Sequence, residues 1–366
     1  MKKRIKKLQK ICRKQHLDAF YVRDTSNIAW LTGFQGVFDD ERAHAAFIST
    51  SDKKAHLHTD TRYLLAAKKQ QAKSGFKIDA KRISFSEWAN RRWKKAGAIK
   101  NSHLGIEDSI SLEEYRKIER TIGHKYLRET HDVILELRSV KDNSELAYMR
   151  EAQSITDEAF QLIVDQMAPG MTEIEVARLL DDIMFKLGAD ALAFPTIVAC
   201  GENGASPHAQ PGNTKLEAGM CVVMDFGAKK HGYCSDMTRT VFLGQPSGKM
   251  LRAWEVLRSA NEQVESMLKA GVTGKQAHEL AEDILAAGGF KGCMGHALGH
   301  GVGLDIHELP VLSIRNNRPL CSGNVVTVEP GIYIPGEFGM RLEDMGVIGT
   351  DGFDVLTATP HEMVVL

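Results

Sequence analysis

Two regimes of hydrophobic spacing divide the chain. From Met1 to about His131, short apolar runs such as Leu17 to Val22, Ala45 to Ile48 and Ala55 to Leu57 alternate with polar stretches of helical spacing, which predicts an α/β arrangement. At its start Ile5, Leu8 and Ile11 recur every three positions among eight positive charges in the first fourteen residues, the pattern of a surface helix with a solvated basic face. The second regime begins near Ser139. Leu146, Met149, Ile155, Ala159, Leu162 and Ile163 share one helical face until Pro169-Gly170 stops it. Thr172 with Glu175 and Thr273 with Gln276 give capping-box signatures for two further helices, closed by Gly188 and by Gly288-Gly289, and another helix is expected from Ser247 to Gly271. Strand-like segments lie between and after them: Cys221 to Ala228, Tyr233 to Leu243, Asn324 to Tyr333 and Gly339 to Ile348. Blocks of helices and mostly antiparallel strands predict an α+β domain over residues 135–366, preceded by a smaller α/β domain over residues 1–134.

Composition narrows the classes of function. Hydrophobic residues make up 43% and charged residues 26%, a globular profile, and 47 basic against 47 acidic residues leave no formal net charge. No global charge therefore points to nucleic acid or an anionic membrane. No apolar run approaches the roughly 20 residues of a membrane-spanning helix, and MKKRIKKLQK lacks the apolar stretch of a secretory signal, so the expected compartment is the cytoplasm. Six scattered cysteines without a C-x-x-C pair are expected to be reduced, buried thiols.

Acids then appear where core strands should be. Asp225 interrupts Cys221-Val-Val-Met-Asp-Phe, and Asp236 interrupts Tyr233-Cys-Ser-Asp-Met-Thr-Arg-Thr-Val-Phe. A symmetric hairpin turning within Lys229-Lys230-His231-Gly232 would set these two carboxylates opposite each other on one face. Glu329, at the end of Val325-Val-Thr-Val, and Glu343, in Met340-Arg-Leu-Glu-Asp-Met, are likewise equidistant from Gly336. Opposed like charges are destabilising unless a cation or a proton intervenes. Any one of these acids can instead cap a turn or pair with Arg239 or Arg341, but four in two matched hairpins favour shared cations. Four carboxylates balance two divalent ions, and the histidines of Gly295-His-Ala-Leu-Gly-His-Gly-Val-Gly-Leu-Asp-Ile-His307-Glu can complete such a shell. The glycines at 295, 299, 301 and 303 argue that His296 and His300 lie on a closely approaching loop rather than a helix. No strand-turn-helix context supports a phosphate loop there, and no cysteine spacing supports zinc-thiolate coordination.

The motifs Met-Asp225-Phe-Gly, Ser-Asp236-Met-Thr-Arg-Thr, Gly-His300-Gly-Val-Gly-Leu-Asp-Ile-His-Glu, Val-Glu329-Pro-Gly-Ile-Tyr and Arg-Leu-Glu343-Asp closely resemble those of the Xaa-Pro peptidase family, aminopeptidase P and prolidase, among the pita-bread metallopeptidases. The likeness spans about Leu137 to Leu366, while Asn27-Ile-Ala-Trp-Leu-Thr-Gly-Phe resembles the creatinase-like α/β domain that precedes the catalytic domain in that family. The resemblance implies a pita-bread catalytic domain holding two divalent ions, manganese or cobalt by family expectation, with iron and zinc not separable by ligand type. It implies Asp225, Asp236, His300, Glu329 and Glu343 as metal ligands, His208, His296 and His307 as substrate-contacting histidines, Arg341 as an orienting base, and Glu329 as the proton shuttle to the leaving nitrogen. It also implies short peptides with proline second as substrates, and a homodimer. Many relatives carry an arginine after the His-Glu-x-Pro run, where this chain has Val311, with Arg315 near enough to substitute. That departure favours an Xaa-Pro aminopeptidase, with Xaa-Pro dipeptidase as the alternative. A creatinase-like carbon-nitrogen hydrolase and a non-catalytic partner-binding module on the same fold are the remaining rivals, and the complete ligand set counts against both.

Overall fold

Residues Met1–Arg138 and Ser139–Leu366 form two units. The computed structural model describes residues 1–34, 43–52, 55–74 and 76–366. The first unit runs α1 (Lys2–Lys14), β1 (Ala19–Val22), α2 (Thr25–Thr32), β2 (His44–Ser49), β3 (His56–Thr59), α3 (Leu64–Ser74), β4 (Lys77–Asp79), α4 (Phe85–Lys95), β5 (Leu104–Glu107), α5 (Leu112–Ile122), β6 (Leu127–Thr130) and α6 (Val133–Ser139). Its strands form one mixed sheet in the order β4-β3-β2-β1-β5-β6. Strands β1 and β2 are buried at every residue, which is why they read as unbroken apolar runs instead of alternating ones. Along α1, Ile5 and Leu8 are buried while the neighbouring lysines stay in solvent, as the three-residue spacing predicts.

The second unit carries α7 (Asn143–Val164), α8 (Glu173–Lys186), β7 (Ala191–Leu192), β8 (Ile197–Cys200), β9 (Cys221–Phe226), β10 (Ala228–Lys230), β11 (Tyr233–Cys234) and β12 (Met237–Phe242), then α9 (Gly248–Met267) and α10 (Gly274–Ala287). It ends with β13 (Gly299–Gly301), β14 (Glu308–Leu312), β15 (Val325–Val328), β16 (Gly331–Ile334), β17 (Phe338–Arg341), β18 (Asp344–Ile348), β19 (Phe353–Val355) and β20 (Val364–Val365). Two helix pairs each seal a sheet. Ile155, Phe160 and Leu180 of α7 and α8 pack on Val222, Met224 and Val241 of the sheet β20-β12-β9-β8. Trp254, Leu257, Ala281 and Leu285 of α9 and α10 join Val326 of the sheet β14-β13-β15-β18-β19 and Met340 of the ribbon β16-β17. Both expected capping boxes close, Thr172 with Glu175 and Thr273 with Gln276, and each satisfies two backbone or side-chain donors at its helix start.

Several expectations shift. The helix capped by Ser247 ends at Met267, short of Gly271, and Leu162 points outward at 38% exposure. Cys321 is exposed and Cys293 half-buried, whereas the other four cysteines are buried, and all six are thiols rather than disulfides. The segment from Tyr233 to Leu243 is two strands, because the Ser235 hydroxyl folds back to donate to the Ala228 carbonyl and accept its N–H. A Cβ at Gly227 would lie 2.1 Å from the Ser235 carbonyl oxygen, so only glycine fits opposite that break. No helix among the described residues is long and apolar enough to cross a membrane.

Candidate active site

The two hairpins meet at one threonine. In the β9-β12 ladder the partner of Asp225 is Thr238, not Asp236. The turn tips at His231 and Gly232, both with positive φ, so the ladder is centred one residue later than the symmetric four-residue turn predicts. Asp236 is thereby displaced two positions along its strand from the point opposite Asp225, and a displacement of two keeps both carboxylates on the same face. In the second hairpin every pair of both ladders, β15 with β18 and β16 with β17, stays equidistant from Gly336. Glu329 and Glu343 occupy matching places in the joint between those ladders. Thr238 then bridges to Glu343, whose N–H donates to the Thr238 carbonyl at 3.1 Å, and so joins the two halves of the unit at the acids.

His300 arrives from β13, which is a short strand rather than a loop. Its flanking glycines permit this: a Cβ at Gly299 would lie 2.1 Å from the Thr327 carbonyl oxygen, and one at Gly301 2.3 Å from that of Leu309. The His300 Nδ1 faces the Gly301 carbonyl at 3.1 Å and so is the protonated nitrogen, and burial holds the ring's pKa below its ordinary value. The bare Nε2 then faces Asp236 Oδ2 at 3.5 Å and Glu329 Oε1 at 3.3 Å. Two carboxylates thus converge on an unprotonated ring nitrogen, an arrangement that calls for a proton or a cation.

The electrostatics say the same. Burial, then the neighbouring Glu343, Asp225 and Glu329, push the Asp236 carboxyl well above the usual carboxylate range. Burial and the same crowding push Glu343 well up, and burial raises Glu329. Asp225 pairs with Arg341 through Oδ2, as the ion-pair alternative for a single acid anticipates, yet its Oδ1 is buried with no hydrogen-bond partner. Asp236, His300 and Glu343 offer ligand atoms within 4.8 Å of one another. Five oxygen- and nitrogen-bearing side chains with an orphaned oxygen, a bare imidazole nitrogen and excess negative charge fit hard-to-borderline divalent cations.

Positioning groups surround these side chains. The Thr238 hydroxyl donates to Glu343 Oε2 at 2.7 Å and accepts from Arg341 Nε at 2.9 Å. The Thr327 hydroxyl donates to Glu329 Oε1 at 3.1 Å and accepts the His300 N–H at 3.0 Å. Arg341 also donates to the Tyr333 hydroxyl at 2.7 Å, and that hydroxyl lies 3.2 Å from His296 Nε2. Nδ1 of His296 is held by the Ala297 carbonyl at 2.7 Å, so Tyr333 donates to Nε2. His307 is exposed and packs edge-on against His300 with ring centroids 4.4 Å apart. His208, also exposed, lies close enough to act electrostatically on both His296 and His307, whose pKa values burial lowers. Asp225, Asp236, His300, Glu329 and Glu343 thus lie together, with Arg341, His296, His307 and His208 around them. Thr238, Thr327 and Tyr333 were not singled out, although each lies within or beside a quoted motif. Arg315 is exposed in the turn beyond β14.

Comparison with known proteins agrees with this geometry. Residues 147–350 match the model of metallopeptidase family M24, and residues 4–140 match that of the creatinase/prolidase N-terminal domain. The chain is 36% identical to the uncharacterized peptidase YqhT of Bacillus subtilis (strain 168), over 99% of this chain and all of that one. Among solved structures it is similar to an Xaa-Pro dipeptidase from Bacillus anthracis, at 34% identity and TM-score 0.92, covering 100% of this chain and 99% of that one. It is also similar to an X-Pro aminopeptidase from Thermotoga maritima MSB8, at 34% identity and TM-score 0.86, covering 96% and 98%. The chain belongs to metallopeptidase family M24, as a peptide hydrolase of the Xaa-Pro peptidase kind with a creatinase-type N-terminal domain and a pita-bread catalytic domain.

Proposed function

We propose that the chain is an Xaa-Pro aminopeptidase, which removes the first residue from peptides of three or more residues with proline second. The reading is carried by the convergence of Asp225, Asp236, His300, Glu329 and Glu343, with a bare imidazole nitrogen turned toward carboxylate oxygens. We assign these five side chains as ligands of two divalent ions, manganese or cobalt first, with iron and zinc equally suited by ligand type. Bound there, the ions supply Lewis acidity to the scissile carbonyl and water activation near neutral pH.

The chain's own groups do the rest. Thr238 and Thr327 each fix one carboxylate by donating to it, Thr238 to Glu343 Oε2 and Thr327 to the Glu329 Oε1 that faces His300. Glu329, whose burial raises its proton affinity, takes the proton of the attacking water and passes it to the departing prolyl nitrogen. That nitrogen has no N–H in the substrate, since a bond before proline is a tertiary amide, so protonation of the leaving group is the step the site must supply. Arg341 restrains Asp225 and, through Tyr333, the ring of His296. His208, His296 and His307 contact substrate, and a rim imidazole whose N–H is not already engaged donates to the developing oxyanion.

The choice of aminopeptidase over dipeptidase rests on Val311 and on Arg315, which lies in the solvent-facing turn past β14. The likeness to the Bacillus anthracis Xaa-Pro dipeptidase favours the second reading, an Xaa-Pro dipeptidase. Hydrolysis of Xaa-Pro, Xaa-Pro-Yaa, Xaa-Ala-Yaa and Met-Xaa-Yaa by chelator-stripped protein, with and without manganese or cobalt, separates them. Faster metal-dependent cleavage of Xaa-Pro-Yaa than of Xaa-Pro supports the aminopeptidase, the reverse order supports the dipeptidase, and cleavage indifferent to proline removes both.

A further inference from the structure

Among the described residues, one other group of acids and imidazole is as compact as the catalytic ligands. Glu265 on α9, Asp344 at the start of β18 and His361 in the C-terminal segment offer ligand atoms within 4.8 Å of one another, the span that also encloses Asp236, His300 and Glu343. We propose that Glu265, Asp344 and His361 form a further divalent-cation site, separate from the catalytic ligands, that ties the C-terminal segment to α9 and β18.

Both ring nitrogens of the histidine are turned to carboxylates. His361 Nε2 is turned inward, 2.6 Å from Asp344 Oδ2, while Nδ1 lies 3.3 Å from Glu262 Oε1, one helical turn before Glu265. An ion bound there would replace the proton between Nε2 and Asp344, while the Glu262 carboxylate on Nδ1 fixes the tautomer. The second oxygen of Asp344 is occupied by Arg239 at 2.8 Å, so that carboxylate is held from behind. By charge, Arg239 offsets Asp344 and Arg258 offsets Glu262, so Glu265 is the carboxylate left without a cationic partner beside the imidazole. Glu265 Oε1 is buried and has no hydrogen-bond partner, and burial and the nearby Asp344 push the carboxyl up to about 8, so a cation would relieve it. An ion has a way in: the His361 side chain is 16% exposed and Glu262 45%, while Asp344 at 1% forms the floor. One imidazole and two carboxylates suit zinc, with its fourth position left to water.

Such an ion would close a strap. Asp157 of α7 accepts the N–H groups of Ala358 and Thr359 and the Thr359 hydroxyl, and Arg239 donates to the Thr359 carbonyl and to that of Glu343. His361 is the next side chain along that segment with a partner in the core, and a cation there would staple it shut.

Equilibrium dialysis of the full chain against zinc, with metal counted by emission spectrometry, tests the site. Glu265→Gln keeps the shape of the side chain, and His361→Asn removes the imidazole by a different route. The expected result is one equivalent fewer per chain in each variant, together with loss of part of the zinc-induced rise in Tm, while the metal-free Tm of Glu265→Gln at pH 7 does not fall below the wild-type value. In an Asp236→Asn background the extra equivalent persists and disappears when Glu265→Gln is added, which separates it from the catalytic ligands. Equal zinc stoichiometry in wild type and in whichever single variant folds would overturn the proposal, leaving a hydrogen-bonded cluster of protonated Glu265 and His361.

Discussion

Replacing Thr238 by valine isolates the contact that joins the two halves of the catalytic unit. Valine has the same shape and an equal strand preference, and the backbone bridge to Glu343 at 3.1 Å does not need the hydroxyl. What disappears is one donor to Glu343 Oε2 at 2.7 Å and one acceptor for Arg341 Nε at 2.9 Å, both fully buried. Hydrogen bonds to charged groups contribute about 1.5–3 kcal/mol each, so the metal-free chain should lose roughly 3 kcal/mol of stability. Glu343 also loses the group that orients it. Loss of such a partner typically costs 10- to 100-fold in metal affinity, about 1.4–2.7 kcal/mol. Calorimetric titration of chelator-stripped Thr238→Val with manganese measures that loss, and Thr238→Ser, which keeps the hydroxyl, should recover most of it. Wild-type affinity in the valine variant, or a serine variant as weak as the valine one, would refute the view that this hydroxyl positions a ligand.

Three other expectations can be checked alongside. Gly299→Ala places a Cβ 2.1 Å from the Thr327 carbonyl, so β13 must move away from β15, with a loss of about 3 kcal/mol or more by urea unfolding and loss of activity as His300 shifts. Folded Glu265 holds its proton up to about pH 8 while the unfolded chain releases it near the ordinary 4.5, so metal-free stability should fall as pH rises across that interval. Melting curves from pH 5 to pH 8 should show a flatter fall in Glu265→Gln; an unchanged slope would contradict it. Lys141 and Glu308 form a pair 3.3 Å apart with both side chains at 1% exposure, so Lys141→Met should cost about 3–5 kcal/mol in denaturant unfolding, and the double change Lys141→Met with Glu308→Leu should recover much of it.

The acids were legible because ionised groups in apolar strands have no cheap structural reason to be there. Counting from a turn's centre worked at Gly336, where every pair of both ladders shares that centre. It missed by two residues at Asp225, because His231 takes positive φ and lets a two-residue turn form where four were expected. The face survived the error, since strand side chains repeat every two residues. Thr238, Thr327 and Tyr333 were illegible for another reason, and Arg239, named only as a possible partner of the catalytic acids, holds Asp344 instead. Threonine and tyrosine are ordinary strand residues, and the partners that give Thr238 and Arg239 their roles lie about a hundred positions away. The end of α9 at Met267 and the outward Leu162 show tertiary packing overriding helical periodicity.

The bridge between Thr238 and Glu343 spans 105 residues and closes only when both helix-backed sheets are complete. A chain with only one half formed holds part of the cluster, Asp225 and Asp236 in one half or His300, Glu329 and Glu343 in the other. A cation held by all five side chains would therefore favour the finished unit over any partly assembled one.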